Sequence, residues 1–169
     1  MGLFLPAVIV VVLDQITKHL FWRLGQNHEI IPGYLNITLV KNAGAAFGMF
    51  QGARAFFVVA SFLAVALIIY LGARLPREQR GRRILLGLIL GGAVGNLIDR
   101  VASGQVIDFL QIGVAGHYWP VFNVADMGVT IGAALLILYA MRTNRTIVPV
   151  PAPVADELRA PAADESLPR

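Results

Sequence analysis

The sequence predicts an all-α membrane protein: four transmembrane helices with a small extracytoplasmic β-sheet and a mobile surface loop or short helix. Three observations lead there. The 169 residues are 57% hydrophobic and only 14% charged, with mean hydropathy +0.69, whereas a soluble domain carries about 25% charged residues. Four apolar segments approach the length of about 20 residues that a span needs. The net charge of +4 is concentrated in arginines beside two of those segments, the pattern of short cytoplasmic flanks. One compact membrane domain, residues 1–146, is expected, followed by a disordered Pro/Ala-rich cytoplasmic tail, 147–169. The arginines read as a topology signal and imply no nucleic-acid partner. The chain has no cysteine, which removes disulfide and thiolate chemistry.

The first segment, residues 3–22, opens with an uninterrupted apolar run to Leu13 and then meets Asp14, Lys18 and His19. It lacks the basic start and cleavage site of a removable signal, so it reads as a retained anchor. Asp14 and Lys18 stand at i, i+4 with the acid first, which favours an internal ion pair. Pro32 and Gly33 supply a turn before residues 34–41, whose β-branched side chains suggest a strand. Residues 42–52 are small, glycine-rich and apolar, as suits a movable loop or short surface helix. The second segment, 55–73, carries no charge. Residues 74–83 then hold five arginines against a single Glu78.

The third segment, 84–98, is short and glycine-rich. Gly87, Gly91 and Gly95 recur at four-residue spacing, and so do Gly128 and Gly132 in the fourth segment, 121–141. Small residues at this period let helices approach closely and are expected to join the ends of spans three and four. Between them, residues 106–112 read as a second strand, followed by a loop through Gly113, Gly116 and Pro120. Tyr118 and Trp119 suit the aromatic belt at a membrane surface. With the arginines cytoplasmic, both termini are cytoplasmic, and residues 23–54 and 101–120 fall on the outer face. The unusual polar motifs gather on that face.

Three aspartates, Asp99, Asp108 and Asp126, lie within residues 91–126. A carboxylate at membrane depth costs at least roughly 2.5–3.5 kcal/mol, so each one calls for a partner or a task. Asp126 shares a helix face with Asn123 and Thr130, and the glycine-containing loop can return Asp108 against it. Two carboxyls sharing a site hold one proton near neutral pH. The ionised member can then take a proton from water while the protonated member polarises a carbonyl. Alternatively, each aspartate pairs with a base or caps a helix. Asp99, beside Arg100 and three residues after Asn96, reads better as an ion pair or cap at the end of the third span. The histidines are scattered without HExxH, and neither GxSxG nor a phosphate loop occurs, so no metal and no cofactor are expected. A small proton-coupled transporter using the aspartates as a relay is the alternative class. The gathering of the acids toward one face and the lack of evident inverted repeats count against it.

At these residues the chain resembles the bacterial lipoprotein signal peptidases (signal peptidase II). The motifs follow the family's order: LDQITK at 13–18, NAGAAF at 42–47, GNLIDR at 95–100, VIDF at 106–109 and FNVAD at 122–126. The resemblance implies an aspartic endopeptidase of the bacterial inner membrane that acts as a monomer on diacylglyceryl-prolipoproteins. It implies cleavage just before the lipidated cysteine, at the outer face and in contact with membrane lipid. It makes Asp108 and Asp126 catalytic, and Asp14, Lys18, Asn42, Gly44, Asn96, Asp99, Arg100 and Asn123 supporting or substrate-binding. Asn96 and Arg100 would orient the substrate backbone. Asn42 and its loop would cover the site beside a small sheet called a cradle, with the residue before the cysteine near Gly44.

Overall fold

The computed structural model describes residues 2–25, 27–43 and 54–144. The elements run α1 (Phe4–Leu24), β1 (His28–Ile31), β2 (Leu35–Asn42), α2 (Arg54–Arg74), α3 (Arg80–Ser103), β3 (Val106–Val114), β4 (His117–Tyr118) and α4 (Val124–Asn144). All four helices are long and apolar enough to cross a membrane. The expected surface loop with Gly44 and the tail 147–169 lie outside the described residues.

Helix α3 packs against each of the other three, and its glycines set how closely. A Cβ on Gly87 would strike the carbonyl of Leu3, and one on Gly91 would sit 2.6 Å from the carbonyl of Ala7. That row therefore seats α1. Gly92, about 100° further round the helix, faces α4 instead, where a Cβ would collide with the carbonyl of Ala125. Gly128 and Gly132 of α4 complete this contact, where an added Cβ would lie 3.0 Å from an α3 carbonyl, that of Leu88 and of Leu85. The row 87/91/95 thus joins α3 mainly to α1. Only at Gly95, the end of that row, would an added Cβ meet both Asp14 and Ala125.

The third span is not short. It continues through the arginines at its start and past Asp99 to Gly104, which ends it in a left-handed conformation with φ +79. Asp99 can lie inside the helix because a buried lysine neutralises it. Helix α4 begins at Val124 rather than 121, since Phe122 is held in a β-bridge with Leu110 and Asn123 caps the helix.

The sheet is antiparallel in the order β1-β2-β3-β4. Two of its strands match the sequence expectation and two are additional. The stretch expected to be a loop after β3 is a tight hairpin turning on Ala115 and Gly116, with φ 50 and 85. The sheet is fastened to the end of α1. Phe109, 1% exposed, stacks on Phe21 with ring centres 4.7 Å apart, and Lys41 lies 4.6 Å above the Trp22 ring. Trp22, Tyr34, Tyr118 and Trp119 are exposed around this end, as in an interfacial aromatic belt. The arginines of the α2–α3 connection occupy the opposite end.

Gly92→Ala is expected to push α4 off α3, at a cost of about 1–3 kcal/mol. Gly81→Ala, whose Cβ would meet only Tyr139 at 3.8 Å, should be neutral. Thermal unfolding of both variants in detergent checks this: a lowered Tm for the first alone is the expected result.

Candidate active site

The site forms where the last turn of α3, the start of β3 and the first turn of α4 meet. Asn123 precedes α4 and bonds reciprocally with Asp126. Its Oδ1 accepts from the Asp126 backbone N–H at 2.9 Å, and Asp126 Oδ2 accepts from the Asn123 N–H at 3.2 Å. This is a capping box with an acid at the third helical position, where the helix dipole favours negative charge. The motif FNVAD thereby starts the helix and aims Asp126 in one stroke.

Asp108 arrives from β3. Its Oδ1 accepts from Asn123 Nδ2 at 2.7 Å and its Oδ2 from Asn42 Nδ2 at 3.1 Å. The β2–β3 register, with Val40 opposite Asp108 and Asn42 opposite Val106, makes Asn42 and Asp108 diagonal neighbours on one sheet face. Asp126 Oδ1 accepts from Asn96 Nδ2 at 2.7 Å. One asparagine, Asn123, therefore donates to both aspartates, and Asn42 and Asn96 flank them.

Behind this pair lies a buried ion cluster. Lys18 Nζ reaches Asp14 Oδ2 at 2.7 Å, Asp99 Oδ2 at 2.8 Å and Asn96 Oδ1 at 3.2 Å. The expected Asp14–Lys18 pair is present. The ion partner of Asp99 is Lys18 of α1, not its neighbour Arg100, because position 99 faces the bundle interior. The same two carboxylates tie in further elements. Asp14 Oδ1 accepts from the Ala125 N–H at 2.9 Å, and Asp99 Oδ2 from the Ile107 N–H at 3.2 Å.

Arg100 is half-buried at the margin of the site. Its guanidinium feels the charges of Asp126, Asp108 and Asp99 and lies 5.7 Å from the Phe57 ring centre. Asn96, expected to face substrate, spends its amide inside the protein, on Asp126, Lys18 and Asn123. Gln15 was not singled out by the sequence, yet its Nε2 bridges Asp14 Oδ2 at 3.1 Å and Asp99 Oδ1 at 3.2 Å. Its place between Asp14 and Lys18 in LDQITK was the available signal.

Burial pushes the Asp108 carboxyl up from 3.8 to about 6. Hydrogen bonds from Asn42 and Asn123 and the charge of Lys18 oppose that rise, and the neighbouring charge of Asp126 adds to it. A groove of about 410 Å³ opens beside the pair, lined by Ile112, Trp119, Phe122, Asp126, Met127, Thr130 and Ile131. Asp126 and Thr130 are its polar points in an otherwise apolar wall. Among the described residues no cluster of His, Asp and Glu converges as metal ligands.

A four-helix membrane bundle with two aspartates bridged beside an apolar groove defines an aspartic peptidase of the membrane. The family model for signal peptidase (SPase) II matches residues 6–142. A lipoprotein signal peptidase of Symbiobacterium thermophilum is 46% identical over 82% of this chain and 93% of its own length. One from Staphylococcus aureus strain MRSA252 is 36% identical over 82% and 86%. Two solved bacterial membrane enzymes share the fold. One has TM-score 0.79 at 34% identity, covering 86% of this chain and 90% of its own. The other has TM-score 0.72 at 36% identity, covering 81% and 90%. The chain belongs to the signal peptidase II family.

Because folding raises the Asp108 pKa, the native state binds more protons than the unfolded chain between pH 3.8 and about 6. The stability this group contributes is full below about pH 4 and is lost as pH rises through about 6. Melting curves should show a decline in Tm over that window in wild type that is smaller in Asp108→Asn, whatever the offset between the two proteins.

Proposed function

We propose that Asp108 and Asp126 are the catalytic pair with which this signal peptidase II removes signal peptides from diacylglyceryl-modified prolipoproteins, cutting before the lipidated cysteine. The observation that carries this reading is that Asn123 donates to both carboxyls at the edge of an apolar groove. The pair shares one proton. The ionised member takes a proton from water as the water attacks the scissile carbonyl. The protonated member donates to the carbonyl oxygen, and the tetrahedral species collapses with proton return to the leaving amine. No covalent intermediate arises.

The supporting residues divide by position. Asn42, Asn96 and Asn123 orient the carboxyls, while the ion cluster of Asp14, Lys18 and Asp99 joins α1, α3, α4 and β3 behind them. Arg100, at the margin with part of its surface free, faces the substrate backbone. The groove on α4 takes the apolar signal helix, and lipid chains enter sideways from the membrane.

The arginine end of the bundle is cytoplasmic by charge, which puts both termini inside and the site at the outer face of the inner membrane. A single chain supplies the whole polar network, so the monomer is the working unit. Among the described residues, the buried polar and charged side chains are Asp14, Lys18, Asn96, Asp99, Asp108 and Asn123. All of them lie toward the sheet end, which leaves a proton relay no path to the arginine end and disfavours transport.

Asp108→Asn and Asp126→Asn should each abolish cleavage of a lipidated prolipoprotein while still inserting into the membrane. Wild-type-like cleavage by either variant would sink the assignment. A metal chelator should leave the rate unchanged, and a loss restored by zinc would point to a metallopeptidase instead.

A further inference from the structure

The buried amide of Asn96 has two ends of similar size and opposite chemistry. Its Nδ2 donates to Asp126 Oδ1 at 2.7 Å. Turned over, it would set an oxygen against that carboxylate, and Asp126 would lose a donor and gain a repulsion. Two groups read the orientation of the amide. Asn123 Nδ2 lies 3.1 Å from Asn96 Oδ1, but its shorter bond, 2.7 Å, goes to Asp108. Lys18 Nζ lies 3.2 Å from Asn96 Oδ1, and an ammonium can only donate. Asp14 at 2.7 Å and Asp99 at 2.8 Å take its other N–H groups, and the residue is 2% exposed. It cannot turn away.

We propose that Lys18 is a positioning residue that fixes the orientation of the Asn96 amide, and through it the carboxylate of Asp126. This rests on the reading of Asp108 and Asp126 as the catalytic pair. Lys18 touches neither the substrate groove nor the two carboxyls. Asp108 from β3 and Arg100 from α3 feel the charge of Asp126, and the Lys18 charge reaches Asp108. Any direct effect of the Lys18 charge must therefore be separated from its effect through Asn96.

A double-variant cycle on cleavage of a lipidated prolipoprotein makes that separation, using Lys18→Met, Asn96→Leu and the two combined. Each single change should lower kcat about 100-fold and leave KM within about twofold. The double variant should be no worse than the poorer single, because the second change removes a link already cut. Losses that multiply, or a raised KM at unchanged kcat, overturn the proposal. Lys18→Met strands two buried acids, so the same cycle is also run on Asp99→Asn, which removes one buried acid along with the base. Failure of Lys18→Met to insert in both backgrounds also overturns it, since the loss would then be one of assembly and not of amide orientation. Asp108→Asn and Asp126→Asn run alongside: if both are inactive while the Lys18 and Asn96 losses multiply, the catalytic pair stands and the orienting role falls.

Discussion

A buried ammonium needs an acceptor for each of its N–H groups, and this requirement at Lys18 organises the molecule. Its three partners are Asp14 on its own helix and Asp99 and Asn96 on α3. The acids then extend the hold: Asp14 reaches the backbone of α4 at Ala125, and Asp99 reaches β3 at Ile107. One positive charge thus connects three helices and the strand that carries Asp108. Breaking a buried ion pair from one side costs about 3–5 kcal/mol, so the elements bearing the site are fixed relative to one another by charge. The glycine contacts bring the backbones close enough for these short bonds to form.

On this scaffold two aspartates experience different surroundings. Asp108 is 3% exposed and its burial holds a proton on it up to about pH 6. Asp126 sits in the first turn of a helix at the wall of the groove, where backbone and asparagine donors converge on its carboxylate. Environments that treat two carboxyls differently are what acid–base division between them requires. The asparagines suit this task because an amide donates to a carboxylate without carrying a charge of its own.

Much of this was legible in the sequence because it rests on short-range rules. Four apolar segments gave the bundle, and the i, i+4 spacing of Asp14 and Lys18 gave their pair. The strand containing Asp108 and the helix containing Asp126 were also readable, together with their approach across a short connection. What escaped depends on contacts distant in the chain. Asp99 pairs with Lys18, some eighty residues away, and no local pattern distinguishes that from pairing with adjacent Arg100. The inward role of Asn96 and the bridging role of Gln15 follow from the same α1–α3 contact. The β3–β4 hairpin was hidden because its turn places Ala115 at positive φ, where Asn or Gly usually gives the signal. The glycine row looked like a link to α4 because spacing alone does not say which neighbour a helix face meets.

At the centre stands the proposal that Asp108 and Asp126 act as one acid–base pair, in which burial raises the Asp108 carboxyl to about 6. Infrared difference spectra of the protein in lipid, titrated from about pH 4 to about pH 8, measure this directly. The account predicts a protonated-carboxyl band that vanishes with a midpoint near the value of about 6 set by burial of Asp108, and that is absent from Asp108→Asn. A band that persists unchanged in Asp108→Asn, or the lack of any carboxyl titrating in that window, would contradict it.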